Sequence, residues 1–374
     1  MPPVNVLHVA GSAEWAGGEV YLLQLAERLD RERFSLSVVC PARGPLVERL
    51  ERLGVPAPVI PMEERLVDPR AVLALARRFR RARPHIVQSH GARANFYCRV
   101  ASRLARVPRH LSTVHNSLYD YPVSPLRRVV YLALDRLTVS WTETILCVAE
   151  SLARDLVERS RVPARKVRVI PNGVDVARFD PARADGERVR REFALGPGPV
   201  LGIIGRMTPQ KDHRTFLAAL AAVRADLPEV KALIVGDGPL RVELEAEAGR
   251  LGLADACCFT GVREDIPDCL AAATVVVLSS VSEGLPFTVL EALAMARPLV
   301  ATAVNGVTEI VEPDLTGLLI PPRRPDLLTR TVLSLLRDPE RARALGQAGR
   351  KVVEVRFPIE RMVERLERLY LGEA

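Results

Sequence analysis

Lysine is nearly missing from this chain of 374 residues: four stand against 49 arginines. Its basic stretches therefore reflect a general preference for arginine as well as any local need. The six cysteines (Cys40, Cys98, Cys147, Cys257, Cys258, Cys269) are scattered and form no Cys-x-x-Cys pair. That pattern suggests neither a disulfide framework nor a zinc site, and it fits a reducing cytoplasm. No apolar run approaches the roughly 20 residues of a membrane-spanning helix. The opening residues Met1 to Ala10 have no basic start followed by a long apolar stretch, so no signal peptide is expected. The dinucleotide fingerprint Gly-x-Gly-x-x-Gly occurs nowhere, which disfavours NAD. Aromatic residues make up only 5%, and no internal repeat or low-complexity tract is visible.

What is present reads as a globular enzyme. A composition of 48% hydrophobic and 26% charged residues is ordinary for that class. The length exceeds one compact α/β domain and suits two. Strand and helix patterns alternate throughout. In the first half, strands are expected at 4–9, 36–40, 86–89, 111–114, 144–148 and 167–170, with helices at 19–29, 45–53 and 70–83. Pro181, Gly186, Pro197, Gly198 and Pro199 then gather where the pattern lapses, at about 175–199, which marks the expected domain boundary. A second series follows, with strands at 200–204, 230–235, 257–260, 273–278, 299–301 and 317–320. Its helices are expected at 213–225, 239–251, 286–296, 341–355 and 359–371. Such alternation implies parallel sheets covered by helices on both faces.

Charge is divided unevenly. Residues 1–183 hold 29 Lys+Arg against 18 Asp+Glu, a net of +11, and the remaining 24 against 27 give −3, which together make the overall +8. No nucleic-acid-binding motif and few interleaved aromatics accompany the basic half, so nucleic acid is not the expected partner. An anionic membrane surface or a phosphate-bearing molecule suits it better. The segment Arg70 to Arg83 has the pattern of a basic amphipathic helix that either lies on acidic lipid or packs on the protein surface.

The most informative stretch is Ser279 to Ala296. The apolar β-branched run 273–278 reads as a buried parallel strand. Gly284 breaks the chain, Pro286 opens a helix, and Glu283 and Glu291 bracket the junction. A strand feeding a helix N-terminus offers backbone amides and a partial positive charge to an anion, while two carboxylates can hold hydroxyls. That is the chemistry of a nucleotide sugar. An ordinary βα unit with two surface glutamates is the plainer alternative.

Glu283 and Glu291, with Gly-Leu-Pro-Phe after the first, resemble the paired-glutamate motif of family 4 retaining glycosyltransferases (glycosyl transferases group 1). The resemblance runs through nearly the whole chain. It implies an α/β fold of the GT-B type, two Rossmann-like domains with parallel sheets facing across a cleft. The first would be an acceptor-side domain at 1–183 with the C-terminal helix 357–374, the second a nucleotide-sugar-binding domain at 190–356. It implies that Glu291 holds the ribose hydroxyls and Glu283 those of the donor sugar. Arg206 and Lys211, in Gly205-Arg-Met-Thr-Pro-Gln-Lys-Asp212, would stabilise the departing diphosphate with the backbone at Gly284, Leu285, Pro286, Phe287 and Thr288. Gly17 and Gly18 resemble the loop that meets the diphosphate from the first domain. Gly238, Pro239 and Leu240 line the nucleotide pocket by the same resemblance, and Val262 and Arg263 hold the base through backbone groups. His115 matches the histidine that contacts the donor sugar; His90 and Asn116 are placed on the acceptor side. The four other histidines are read as structural. Asn305-Gly-Val-Thr-Glu309 departs from the family's Gly-Gly-x-x-Glu, which questions the local backbone approach.

No Asp-x-Asp motif stands in a suitable loop, and two protein cations can replace a divalent ion, so no metal and no other cofactor are expected. The implied reaction is transfer of a sugar from a UDP- or GDP-sugar to a hydroxyl acceptor with retention, in glycolipid, capsule or envelope polysaccharide synthesis, by a cytoplasmic enzyme peripheral to the membrane. The competing readings are a nucleotide-sugar 2-epimerase, a non-catalytic nucleotide-sugar-binding protein of the same fold, and a nucleic-acid-binding protein. Closure of the domains over the donor is a further expectation, drawn from the lapse at 175–199.

Overall fold

The computed structural model describes residues 2–12, 16–62, 68–117, 119 and 124–373. The chain divides into two compact units, residues 1–172 with 360–374, and residues 173–359.

The first unit is built on six parallel strands: β1 (Val4–Val9), β2 (Phe34–Val39), β3 (Ile86–His90), β4 (Arg109–Val114), β5 (Thr144–Cys147) and β6 (Val167–Val169). They lie in the order β2-β1-β3-β4-β5-β6. Between them run α1 (Gly17–Arg28), α2 (Pro45–Arg52), α3 (Pro69–Ala82), α4 (Ala92–Ala105), α5 (Pro125–Thr138) and α6 (Glu150–Glu158). Every residue of β3 is buried, as a central strand covered on both faces requires. The core under α3 and α4 joins Leu7, Val9, Leu75, Phe79, Val87 and Tyr97. Ala71, Val72, Leu75, Ala76 and Phe79 of α3 all face this core. The apolar stripe of the basic helix is therefore packed inward, and lipid is not what it meets.

The second unit carries α7 (Gly186–Glu192), β7 (Val200–Ile204), α8 (His213–Asp226), β8 (Lys231–Val235), α9 (Arg241–Arg250), β9 (Cys257–Gly261) and α10 (Ile266–Ala272). It continues through β10 (Val275–Leu278), α11 (Phe287–Ala294), β11 (Leu299–Thr302), α12 (Val307–Ile310), β12 (Leu318–Ile320), α13 (Pro325–Arg337) and α14 (Pro339–Arg356). Its strands are all parallel in the order β12-β11-β10-β7-β8-β9. Counted within the unit this is the Rossmann order, and the strand order reverses between β7 and β10. Phe216 and Leu220 of α8 and Leu328 and Val332 of α13 pack with Leu201, Ile203 and Ile234 of the sheet.

Residues 173–183 belong to the second unit rather than the first. Val174 N–H donates to Phe357 O at 2.9 Å and Ile359 N–H to Val174 O at 3.1 Å, so 357–359 fall with them. The lapse at 175–199 is not a linker. It contains α7, whose Val189 packs with Leu195, Leu233 and Cys269. Asp185 caps that helix by accepting from Arg188 N–H, and Arg188 reaches Asp268 at 2.7 Å. The last helix, α15 (Ile359–Leu371), ends in the first unit, where Arg109 donates to the carbonyls of Leu369 and Tyr370 at 3.0 and 2.6 Å.

Candidate active site

In parallel sheets, ligands gather beyond the strand C-termini where the strand order reverses. In the second unit that point is the end of β7 and β10, and most of the expected donor residues stand there. Lys211 Nζ lies 2.6 Å from Glu283 Oε1, and Ser280 Oγ donates to the same oxygen at 2.6 Å. The Glu283 side chain is only 6% exposed and that of Lys211 20%. Backbone bonds fix both loops: Gln210 Nε2 donates to Ser282 O at 2.7 Å, Val281 N–H to Gln210 O at 2.8 Å, and Ser279 Oγ to Lys211 O at 2.9 Å. Arg206 sits on the same loop, which bonds to the next one through Met207 N–H to Asp237 O at 2.9 Å and Leu240 N–H to Met207 O at 3.1 Å.

Glycine is demanded where these loops touch. Gly236 has φ +130°, and a Cβ there would lie 2.1 Å from Gly205 O; one at Gly238 would lie 2.5 Å from Met207 O. Gly238, Pro239 and Leu240 thus brace the Arg206 loop.

Glu283, Gly284, Leu285 and Pro286 lead into α11. Pro286 is the residue before the helix rather than inside its first turn. Leu285 and Phe287 are buried, and Thr288 Oγ1 donates to Ile204 O at 3.2 Å. The side chains of 285–288 thus serve packing, and what this segment can offer a ligand is backbone at a helix N-terminus. Glu291 is half-buried on α11, and burial pushes its carboxyl up to about 7, against a smaller downward pull from Arg178. Asn305 adopts φ +32°, a left-handed conformation that asparagine tolerates, and its amide reaches Ser282 Oγ at 3.4 Å. The departure from glycine is thereby accommodated. Val262 is exposed, while the Arg263 guanidinium is held by Glu192 and Asp265. The Arg263 side chain is committed to that network, so only its backbone remains for a base.

In the first unit the strand order reverses between β1 and β3. There Gly11 approaches so closely that a Cβ would lie 2.3 Å from His90 O. Of the loop 11–19, residues 13–15 lie outside the described residues. Gly17 and Gly18 open α1, with Glu19 Oε2 accepting from Ala16 N–H at 3.1 Å. A Cβ on Gly18 would meet only His115 Cδ2, at 3.9 Å. His115 and Asn116 line a cavity with Asn95, Arg99, Ser117 and Asp155.

His90 does not reach this cavity as an acceptor contact. It is 2% exposed, and both ring nitrogens are taken, Nε2 by His8 Nδ1 at 2.8 Å and Nδ1 by His115 Nε2 at 3.0 Å. His8, read from sequence as merely structural, is the inner end of this chain of rings and contacts the Tyr370 hydroxyl at 3.1 Å. Its position, fifth in β1, gives no such signal; only the return of α15 brings Tyr370 to it. His213, at the start of α8, is buried with no hydrogen-bond partner for either nitrogen among the described residues, and burial followed by Lys211 lowers it to about 4.

The end of β7 and β10 thus gathers a buried carboxylate, a lysine and a helix N-terminus, and comparison with known proteins gives the family. The model "Glycosyl transferases group 1" matches residues 186–352 and "Glycosyltransferase Family 4" matches residues 15–178. The chain belongs to glycosyltransferase family 4. It is 27% identical to the UDP-Gal:alpha-D-GlcNAc-diphosphoundecaprenol alpha-1,3-galactosyltransferase of Escherichia coli, over 98% of this chain and 97% of that one. With the GDP-mannose-dependent alpha-(1-6)-phosphatidylinositol monomannoside mannosyltransferase of Mycobacterium tuberculosis it shares 30% identity, over 73% of this chain and 72% of the relative. Anabaena HepE, solved in complex with UDP and glucose, superposes with a TM-score of 0.87 at 22% identity over 99% of both chains. The two six-stranded parallel sheets have the GT-B fold, and this family 4 member is a glycosyltransferase that uses a nucleotide sugar.

Proposed function

We propose that this chain is a retaining enzyme that works without a metal ion. It moves the sugar of a UDP- or GDP-sugar to a hydroxyl of a lipid-linked acceptor in glycolipid, capsule or envelope polysaccharide synthesis, at the inner face of the cytoplasmic membrane. The ion pair of Lys211 and Glu283 at the end of β7 and β10 carries the reading. As the bond to the sugar breaks, negative charge gathers on the β-phosphate, and preorganised cations stabilise such charge most effectively. Arg206 offers paired planar donors and Lys211 a compact charge. Glu283 takes sugar hydroxyls, Glu291 takes the ribose hydroxyls, and the backbone of 284–288 meets the diphosphate. Backbone groups at Gly17, Gly18, Val262 and Arg263 complete the ligand contacts. The departing phosphate helps remove the acceptor proton on the same face, which retains configuration.

Two observations support the membrane part. The E. coli and mycobacterial relatives are both named for lipid acceptors. And α5 exposes Leu126 (74%), Val129 (64%) and Leu137 (71%), followed by Trp141 (41%). Residues 126, 129, 133 and 137 share one helical face, flanked by exposed Arg127 and Arg136, as in a helix lying along anionic lipid. No helix among the described residues is long and apolar enough to cross a membrane.

The test is thermal stabilisation by UDP, GDP, ADP, CMP and NAD, each with and without magnesium, followed by product analysis with the donor sugars of the base that binds. A selective shift by UDP or GDP, independent of magnesium and lost in Glu291→Ala and Arg206→Ala, is the expected result. A shift by NAD alone overturns the reading. Conversion of the donor sugar with no acceptor present would mean an epimerase.

A further inference from the structure

The cavity-lining His115 is the outer end of a hydrogen-bonded chain that begins at Tyr370. One phenol carries one proton, and its use decides everything that follows. Gln88 Nε2 donates to Thr113 Oγ1 at 2.8 Å, which leaves Gln88 Oε1 facing the phenol at 2.5 Å. A carbonyl oxygen can only accept, so Tyr370 must donate to it. The phenol oxygen can then only accept from its other neighbour, His8 Nε2, at 3.1 Å. A neutral imidazole has one N–H, so His8 Nδ1 is a lone pair and accepts from His90 Nε2 at 2.8 Å. By the same count His90 Nδ1 accepts from His115 Nε2 at 3.0 Å.

We infer that Tyr370 and Gln88, acting through His8 and His90, hold His115 in the Nε2–H form, so that its Nδ1 faces ligand as a hydrogen-bond acceptor for a sugar hydroxyl. The ligand part rests on the function proposed above; the proton order does not. Neutral rings are what the surroundings favour. Burial lowers His8 to about 3 and His115 to about 4, and holds His90 well below the usual histidine range. Packing also fixes the rings: His8 and His90 stack at 5.1 Å, His90 and His115 at 5.3 Å, and Tyr21 lies 5.3 Å edge-on to His115. Tyr370, Gln88, His8 and His90 are positioning residues, since none of them lines the cavity that His115 does.

The orientation has a chemical consequence. A hydroxyl that donates to Nδ1 keeps its own lone pairs for other donors. In the opposite order His115 would present N–H, and a hydroxyl could meet it only as acceptor. Donor and acceptor sugars both carry such a hydroxyl, and separate KM values distinguish them.

The experiment is 15N NMR of the histidine-labelled full chain, which reads each tautomer without turnover. The expected wild-type spectrum has Nε2 protonated and Nδ1 bare in His8, His90 and His115 alike; protonated Nδ1 in His115 overturns the inference. In Gln88→Met the phenol loses its acceptor and turns to donate to His8, so all three rings should exchange their protonated nitrogen together. A change confined to His8 overturns the coupling. If Gln88→Met does not fold, Tyr370→Phe keeps the ring and removes the acceptor of His8; mixed tautomers in all three rings are expected, and a change at His8 alone again overturns the coupling. In Gln88→Met, KM for one sugar substrate should rise about tenfold, the worth of one hydrogen bond, while UDP or GDP affinity stays unchanged. Spectra as expected without any transfer from a nucleotide sugar would retire the proposed function and leave the proton order standing.

Discussion

Lys211 Nζ and Glu283 Oε1 stand 2.6 Å apart, and each closes a different strand of the second sheet. The pair ties the loop after β7 to the loop after β10 at the point where the strand order reverses. In the proposed reaction its members have opposite assignments, one to phosphate and one to sugar. Their contact keeps each charge compensated where the Glu283 carboxylate is nearly out of water.

Removing either charge should therefore act on turnover and on stability in different proportion. Glu283→Gln keeps the size and the Ser280 partner, and should lower kcat by about 100- to 1000-fold with little change in melting temperature. Lys211→Ala leaves the Glu283 carboxylate without its cation, and should lower stability by about 2 kcal/mol as well. In the double variant Lys211→Ala with Glu283→Gln much of that stability should return. Melting curves and single-turnover rates on the three proteins check this; equal melting temperatures throughout would show that the pair carries no structural load.

Glu291 should make stability depend on pH in an unusual direction for a carboxylate. Its folded-state value of about 7 lies above the usual 4.5, because burial disfavours the charged form. Between those values the folded chain holds a proton that the unfolded chain has released. Stability should therefore fall as pH rises across that window, by up to about 3 kcal/mol. Glu291→Gln should flatten the slope. Diphosphate affinity should move the other way and improve as pH rises through about 7, since the ionised carboxylate accepts the ribose hydroxyls more strongly. Denaturation at several pH values and calorimetric titration with UDP or GDP measure the two trends.

Two glycines of the first unit separate structural from functional need. A Cβ on Gly11 would press on the backbone oxygen of His90 at 2.3 Å, so Gly11→Ala should destabilise by about 2 kcal/mol or more. A Cβ on Gly18 would meet nothing nearer than His115 Cδ2 at 3.9 Å. Gly18→Ala should then leave the melting temperature within a degree or so, the shift expected of about 0.2 kcal/mol, yet raise KM for the donor several-fold if a phosphate comes close to that backbone. An unchanged KM would remove Gly17 and Gly18 from the site.

The sheets were legible because buried parallel strands are short apolar runs. All twelve strands lie on or beside expected segments, and the 273–278 run became β10 at 275–278. Several helices were not, because a glycine or proline at the start of a helix reads in sequence as a break in the pattern. The helix α7 starts at a glycine in a proline-rich stretch, and α13 has Pro325 as its first residue. The motif glutamates could be found because Gly-Leu-Pro-Phe marks them. Tyr370 could not, because its partners His8 and Gln88 are 362 and 282 residues away in sequence. Contacts of that span have no local pattern to betray them.

The outward face of α5 supplies the last prediction. Leu126, Val129 and Leu137 are each more than half exposed, whereas the more strongly basic α3 buries Ala71, Val72, Leu75, Ala76 and Phe79. An arginine-rich helix that hides its apolar stripe can attract lipid only through charge, which salt screens over about 10 Å at 0.1 M. One that shows its stripe adds a hydrophobic term that salt leaves intact. Vesicles of mixed phosphatidylcholine and phosphatidylglycerol should therefore sediment the wild type at low salt and retain part of it at high salt. Leu126→Asp with Leu137→Asp should abolish the salt-resistant part, while the melting temperature changes little because both side chains already face water. Arg127→Glu with Arg136→Glu should instead abolish the salt-sensitive part. If both double variants bind as the wild type does, α5 is not the surface that meets the membrane. If the leucine variant loses binding in neither regime but sediments at a lower oligomeric mass, the stripe is an interface between copies of this chain.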